Sequence, residues 1–217
     1  MHATGYALVP GFLDKAACDS LIEQYDNPGL YRKTITMERY RFGQGEYKYF
    51  QYPLPPLLQT IREYLYPGLS VIANRWMEVL DKDTRFPDTL SALQEVCKKN
   101  NQVKPTVLIL KYGQGGHNTL HQDLYGEVFF PLQAVLFLNE PGKDYTGGEF
   151  VLLQQTPRAQ SKAIVLTPPR GSLLLFTTNF RPVKGSRGYY RVNMKHGVSE
   201  VHEGVRHTAG IIFHDAI

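Results

Sequence analysis

The stretch PTVLILKYGQGGHNTLHQDLYGEVFFPLQAVLFL, residues 105–138, decides the fold. It contains three strand-like runs, 106–112, 117–123 and 131–138, broken by Gly113, Gly115, Gly116 and Pro131, with no helical pattern between them. Short runs punctuated in this way read as antiparallel β-structure. The texture continues to the C-terminus in further runs at 148–154, 162–166, 172–178, 188–196 and 206–213. Pro141 and Gly142, Pro168 and Pro169, Gly185 and Gly188, and Gly204 mark most of the joins. Eight short strands without intervening helices predict a jelly roll or barrel.

Residues before 104 have a different texture. Asp14 opens the run KAACDSLIEQY, whose apolar residues recur at helical spacing. Pro55 and Pro56 precede LLQTIREYL, and residues 70–81 and 88–99 also read as helices. Between the first two helices, RKTITMERYRFGQGEYKYF (32–50) alternates like a hairpin around Gly43–Gly45. The expected fold class is therefore mainly β within α+β. Residues 105–217 are expected to form the jelly-roll core, and residues 1–104 a helical support packed on one face of it, making 1–217 one compact domain.

A chain of 217 residues with 42% hydrophobic content can bury a sizeable core without disulfides or a structural metal. Two cysteines, Cys18 and Cys97, are too few for a disulfide scaffold and read as buried reduced thiols. The longest apolar runs, such as Ala134–Leu138, are far too short to cross a membrane as a helix. The opening MHATGYALVPG lacks a charged segment followed by an apolar one, so the expected location is cytoplasmic.

Charge is unevenly distributed. Residues 154–207 hold nine basic side chains (Arg158, Lys162, Arg170, Arg181, Lys184, Arg187, Arg191, Lys195, Arg206) against Glu200 and Glu203, an excess of seven. The rest of the chain has three more acidic than basic residues. Such a segment is compatible with an anionic partner such as nucleic acid, or with a solvated basic face.

Of seven histidines (His2, His117, His121, His196, His202, His207, His214), only one lies in a His-X-Asp triplet, His121–Gln122–Asp123. Residues two apart in an extended segment point to one side, so imidazole and carboxylate can converge on one ion. Two histidines and one carboxylate leave metal positions open, which suits Fe(II) and O2 chemistry. Four downstream histidines could supply the third ligand. A 2-oxoglutarate co-substrate would add a demand for a buried cation on the neighbouring strand, preferably a bidentate guanidinium. Ten residues after His196 stands Arg206, whereas the same offset from His202 and His207 reaches Ile212 and Ile217.

With these residues assembled, the chain over about 105–215 resembles the Fe(II)/2-oxoglutarate-dependent dioxygenases, which have a double-stranded β-helix (jelly-roll) fold. The motifs are HQD (121–123), TGGEF (146–150), PPRGSLLLF (168–176) and HGVSEVHEGVR (196–206). The last is similar to the His-to-Arg segment of the prolyl-4-hydroxylase-like branch. LHQD (120–123) resembles AlkB-like proteins, but their arginine–asparagine signature after the last histidine is absent: Arg191 and Asn193 precede His196. The C-terminal block most resembles a bacterial oxygenase group linked by similarity to oxidation of damaged DNA. The resemblance implies His121, Asp123 and His196 as Fe(II) ligands and O2 as oxidant. It also implies Arg206 on the distal carboxylate of 2-oxoglutarate, with Tyr112, nine residues before His121, contacting the same co-substrate. His202, His207 and His214 are expected to be non-ligands.

Alkylated nucleic acid is the leading substrate class, with the basic segment 154–207 as its contact. The aromatic strip Tyr40, Phe42, Tyr47, Tyr49, Phe50 and Tyr52 could stack on bases, or could pack on the core. A protein substrate, perhaps at proline, or a small molecule is the alternative. Strand parity around His196 predicts Tyr190, Val192 and Met194 inward and Arg191, Asn193 and Lys195 outward.

Overall fold

The computed structural model describes residues 1–217. In chain order its elements begin with β1 (Tyr6–Val9), α1 (Lys15–Glu23), β2 (Tyr31–Thr36), β3 (Gly43–Gln44) and β4 (Glu46–Phe50). Two helices follow, α2 (Pro56–Val79) and α3 (Leu90–Lys99). Then come β5 (Leu108–Tyr112), β6 (His117–His121), β7 (Leu132–Phe137), β8 (Tyr145–Gly147), β9 (Phe150–Gln155) and β10 (Lys162–Leu166). The chain ends with β11 (Leu173–Thr177), β12 (Phe180–Gly185), β13 (Gly188–Val198), β14 (Val201–Gly204) and β15 (Arg206–Ile211).

All eight strand-like runs downstream of Pro105 are strands. Three more accompany them: the short β8 and β14, which pair with each other, and β12, which forms a hairpin with β13. The major sheet has the order β1-β11-β7-β15-β5-β4-β2, and the minor sheet β10-β9-β13-β6-β3. Every pairing within these sheets is antiparallel, so this is a jelly roll.

The N-terminal half departs from the helical expectation. It adds β1, β2 and β4 to the major sheet and β3 to the minor one. The hairpin read at 32–50 forms as β2 against β4, with β3 diverted to β6. The helices read at LLQTIREYL and 70–81 are one continuous helix, α2, running through Pro67. Proline removes one backbone bond there. Burial of Tyr66, Leu69, Ala73, Trp76 and Met77 along one face compensates. Local capping starts the other helices: Asp14 accepts from the Ala17 N–H and Thr89 from the Ala92 N–H.

Alternation on the central strands sorts two cores. On β7 and just beyond it, Leu132, Ala134, Leu136 and Leu138 face the helices, in a cluster that includes Leu58, Tyr66, Trp76 and Leu93. Val135 and Phe137 point the other way, against Phe150, Leu152, Val192 and Met194 of the minor sheet. The same parity on β15 and β5 sends Ala209, Ile211 and Ile109 to the helices. It sends Arg206, Thr208, Leu110 and Tyr112 into a cavity between the sheets.

Candidate active site

The cavity has a volume of about 240 Å³ and a largely apolar wall that includes Leu108, Leu110, Val135, Phe176 and Ile212. His121 ends β6, and His196 lies directly opposite it on β13. Asp123 is two residues past the end of β6, in a loop anchored by its own N–H donating to Thr178 Oγ1 at 3.1 Å. The strand expected over 117–123 therefore stops at His121. Alternation still holds for Gln122, whose amide turns away to the Asn179 and Met194 carbonyls at 2.8 and 2.7 Å.

The donor atoms of His121, Asp123 and His196 all lie within 4.8 Å of one another. The His121 Nδ1–H donates to the Thr119 carbonyl at 2.7 Å, which leaves a lone pair on Nε2 facing Asp123 Oδ1 at 3.6 Å. Gln133 Nε2 donates to Asp123 Oδ2 at 2.9 Å and lies 3.2 Å from His196 Nε2. Tyr125 donates to Asp123 Oδ1 at 2.7 Å, and Tyr49 lies behind it at 3.2 Å. Burial opposes ionisation of Asp123, but hydrogen bonding to His196, with His121 and Gln133, holds its carboxyl well below the usual range. Burial, with the His121 ring adding to it, holds His196 below its ordinary value. An ionised carboxylate facing two imidazole nitrogens needs a positive charge among them, either a proton on His196 Nε2 or a metal ion. The donor set therefore fits a divalent metal.

Arg206 opens β15 opposite Tyr112 at the end of β5. Its side chain is fully buried, yet Nε, Nη1 and Nη2 have no hydrogen-bond partner. Rings of Tyr112, Phe137 and Tyr145 surround the guanidinium carbon at 5.5, 5.5 and 5.9 Å. The TGGEF motif makes room for it: Gly148, at φ +63°, has its Cβ position 2.9 Å from Arg206 Cδ, so a larger residue would push the arginine out. A buried guanidinium with three bare nitrogens in a cavity wall fits an anionic ligand group such as a carboxylate. Tyr112 is buried, its phenol is pushed up to about 12 by burial, and its oxygen accepts from Asn118 at 3.4 Å.

Residues 45–216 match the Oxygenase-NA family, described as "Oxygenase, catalysing oxidative methylation of damaged DNA". The chain belongs to this family. Uncharacterized proteins of two Mycobacterium tuberculosis strains, CDC 1551 / Oshkosh and H37Rv, are each 44% identical over 167 residues, covering 77% of this chain and 72% of theirs. Among solved structures, a Pseudomonas putida prolyl-4-hydroxylase aligns with TM-score 0.57 at 13% identity, over 98% of this chain and 93% of that one. A 2OG-Fe(II) oxygenase family oxidoreductase from Burkholderia pseudomallei aligns with TM-score 0.52 at 15% identity, over 98% and 87%. These two likenesses establish the fold. By its family the chain is thus an enzyme, an oxygenase.

Other expectations for the Oxygenase-NA chain divide. His202 is exposed, His207 faces Tyr25 away from the cavity, and His214 Nδ1 accepts from the Phe130 N–H; none joins the three converging donors. The nine basic residues do not share a surface. Arg206 and Arg181 are buried, and Arg170 is paired with Asp19. Arg158, Lys162, Lys184, Arg187 and Arg191 are exposed. The basic surface is therefore smaller than the local excess of seven suggested.

Tyr190 is exposed, not inward, because the distal part of β13 leaves the sheet sandwich as a hairpin with β12, while Val192 and Met194 are buried as expected. In the aromatic strip, Tyr49 and Phe50 are core, whereas Tyr40, Phe42 and Tyr52 are exposed. Tyr40 stacks on Phe42 at 5.4 Å, and Phe42 is part of the cavity wall, flanked in sequence by exposed Arg41. No helix is long and apolar enough to cross a membrane. Gln133 and Tyr125 hold Asp123 without having been expected from the sequence. Gln133 had a legible signal, the one polar residue in the run LQAVLFL, while Tyr125 had none.

Proposed function

We propose that His121, Asp123 and His196 hold Fe(II), that Arg206 with Tyr112 binds the distal carboxylate of 2-oxoglutarate, and that the substrate is alkylated DNA. The observation that carries the reading is the fully buried Arg206 guanidinium, unpartnered and in the same cavity as the three converging donors. Metal and co-substrate together supply O2 activation and oxidative attack on a substrate C–H bond. The protein's part is binding and orientation. Thr119 fixes the His121 tautomer, and Gln133 and Tyr125 orient the Asp123 carboxylate. Tyr112 presents a neutral phenol beside Arg206. The apolar wall keeps water from the reacting carbon.

Damaged DNA is supported by the family description and by the cavity rim. Phe42 and stacked Tyr40 offer ring faces to a base, with Arg39 and Arg41 exposed beside them. Arg191 contacts Asn179, which also holds Gln122 of the cavity wall. Hydroxylation of an N-methyl carbon gives a hemiaminal that releases formaldehyde, so such an oxygenase removes the methyl group. The test is succinate and formaldehyde release with methylated oligonucleotides, proline-containing peptides and small metabolites. Equal yields of both products with methylated DNA are expected. Succinate release driven by a peptide or metabolite, and not by DNA, would replace the substrate assignment.

A further inference from the structure

Arg181, on β12, is buried, but unlike Arg206 it lies outside the catalytic cavity. It helps to line an open depression of about 520 Å³, with His2, Arg75, Lys184 and Tyr189 also in the wall and no aspartate or glutamate among the lining residues. The guanidinium has only neutral partners. Nε and Nη2 donate to Gln154 Oε1 at 3.2 and 2.7 Å, while Nη1 has only the His2 and Pro182 carbonyls, both at 3.5 Å. A guanidinium carries five N–H donors; four are engaged here, two of them only at 3.5 Å, and no acceptor carries a compensating negative charge. Leaving a buried charge without a counterion is costly. Gly5, at φ +81°, accommodates the chain closely, its Cβ position being 2.7 Å from Arg181 Cδ. Lys184 is exposed at the wall, and Arg75 is already paired with Glu78 at 2.7 Å.

We infer that this depression is an anion site that takes a phosphate group, held by Arg181 and Lys184 with the Tyr189 ring beside it. Donors arriving from several directions suit a tetrahedral oxyanion better than a single planar carboxylate. Arg181 pairs with Val192, four residues before His196 on β13, so the site lies roughly 13 Å along that strand from the metal-binding residues. Its charge and geometry are independent of the proposed substrate. The phosphate could belong to a free nucleotide or to a polynucleotide backbone.

The structure supplies its own reporter. Trp76 is the sole tryptophan, and its Nε1 donates at 3.1 Å to His2 Nδ1, in the wall of the depression. Trp76 emission is followed on adding inorganic phosphate, thymidine 5′-monophosphate or an unmodified ten-nucleotide oligothymidylate, against chloride at matched ionic strength. A saturable change is expected, with its midpoint weakened about tenfold or more in Arg181→Met and in Lys184→Ala. Arg181→Met replaces a buried uncompensated charge by an apolar chain of similar reach, and Lys184→Ala keeps the test valid should the first variant fold poorly. Binding of phosphate and monophosphate as tight as that of the oligonucleotide identifies a free nucleotide. Variant-sensitive binding dominated by the oligonucleotide identifies the backbone. No saturation with any probe, or midpoints unchanged in both variants, overturns the site. Because the probes carry no methyl lesion and need no metal, that failure is separate from failure of the substrate assignment.

Discussion

Arg206 and Tyr112 are cross-strand partners on β15 and β5, both fully buried, with the guanidinium carbon 5.5 Å from the centre of the tyrosine ring. A cation held this way is desolvated and sits over a ring face, yet none of its nitrogens has a hydrogen-bond partner. The pair lines the same cavity as His121, Asp123 and His196.

Removing the guanidinium should therefore act on the co-substrate and not on the metal. Deleting one member of a buried ion pair typically costs about 3–5 kcal/mol. Arg206→Ala is expected to raise the 2-oxoglutarate requirement by roughly two to three orders of magnitude. Arg206→Lys should retain part of the affinity, because charge survives and the planar fork does not. Titration of 2-oxoglutarate into Fe(II)-loaded variants measures both. An unchanged midpoint in Arg206→Ala would mean that the co-substrate is anchored elsewhere.

The metal assignment has a complementary test. His121→Ala removes a half-exposed ring whose one hydrogen bond is to the Thr119 carbonyl, so the fold should survive. Fe(II) binding, measured anaerobically by calorimetry, and turnover should both be lost. Asp123→Ala should abolish them too, with some loss of stability, since Tyr125 and Gln133 lose their acceptor. Full 2-oxoglutarate decarboxylation by either variant would remove these residues from the metal site.

His121, Asp123, His196, Arg206 and Tyr112, singled out in the sequence, gather in one cavity. The His-X-Asp spacing points to the first two, and the family resemblance to the other three. The single helix through Pro67 was not legible: a local rule says that proline breaks a helix, and only tertiary burial of Tyr66, Leu69 and Trp76 overrides it. β4 is legible as one arm of the hairpin over 32–50, but its place in the major sheet, like that of β1, is not, because it depends on partners far away in sequence, Leu173–Phe176 for β1 and Leu108–Lys111 for β4. Net charge misled for a related reason. Composition counts Arg181 and Arg206 as surface charge, and burial removes both.

Nucleic-acid binding should be salt-dependent through the residues that remain exposed. Arg187 and Arg191 lie on the β12–β13 hairpin, and Arg191 reaches Asn179 beside the cavity wall. Every phosphate that is no longer neutralised lowers the slope of log K against log salt by about 0.7–0.9. The double variant Arg187→Gln/Arg191→Gln is expected to lower the slope by about one to two, read by fluorescence anisotropy with a labelled oligonucleotide. An unchanged slope would take this hairpin out of the interface.

Two histidines outside the catalytic set predict how stability varies with pH. Burial, with Lys111 adding to it, pushes His207 down to about 4, and burial pushes His214 down to about 4. Both are neutral in the fold: His207 Nδ1 lies 3.1 Å from Asn139 Oδ1, and His214 Nδ1 accepts the Phe130 N–H at 3.1 Å. An unfolded histidine takes up its proton near pH 6.5. Between about pH 6.5 and 4 the unfolded chain therefore binds protons that the folded chain refuses, and stability falls as pH falls. Each histidine contributes on the order of 2–3 kcal/mol across that window. The depressed Asp123 carboxyl acts in the same direction, but its stabilisation is lost below about pH 4, where carboxylates of the unfolded chain protonate. The two effects thus occupy separate windows. Urea unfolding of the metal-free protein from pH 7 to pH 4.5 should show the loss, and His207→Gln should remove about one proton from the slope. A wild-type stability that is flat over this range, or a slope that His207→Gln leaves unchanged, would mean that His207 already carries its proton in the fold.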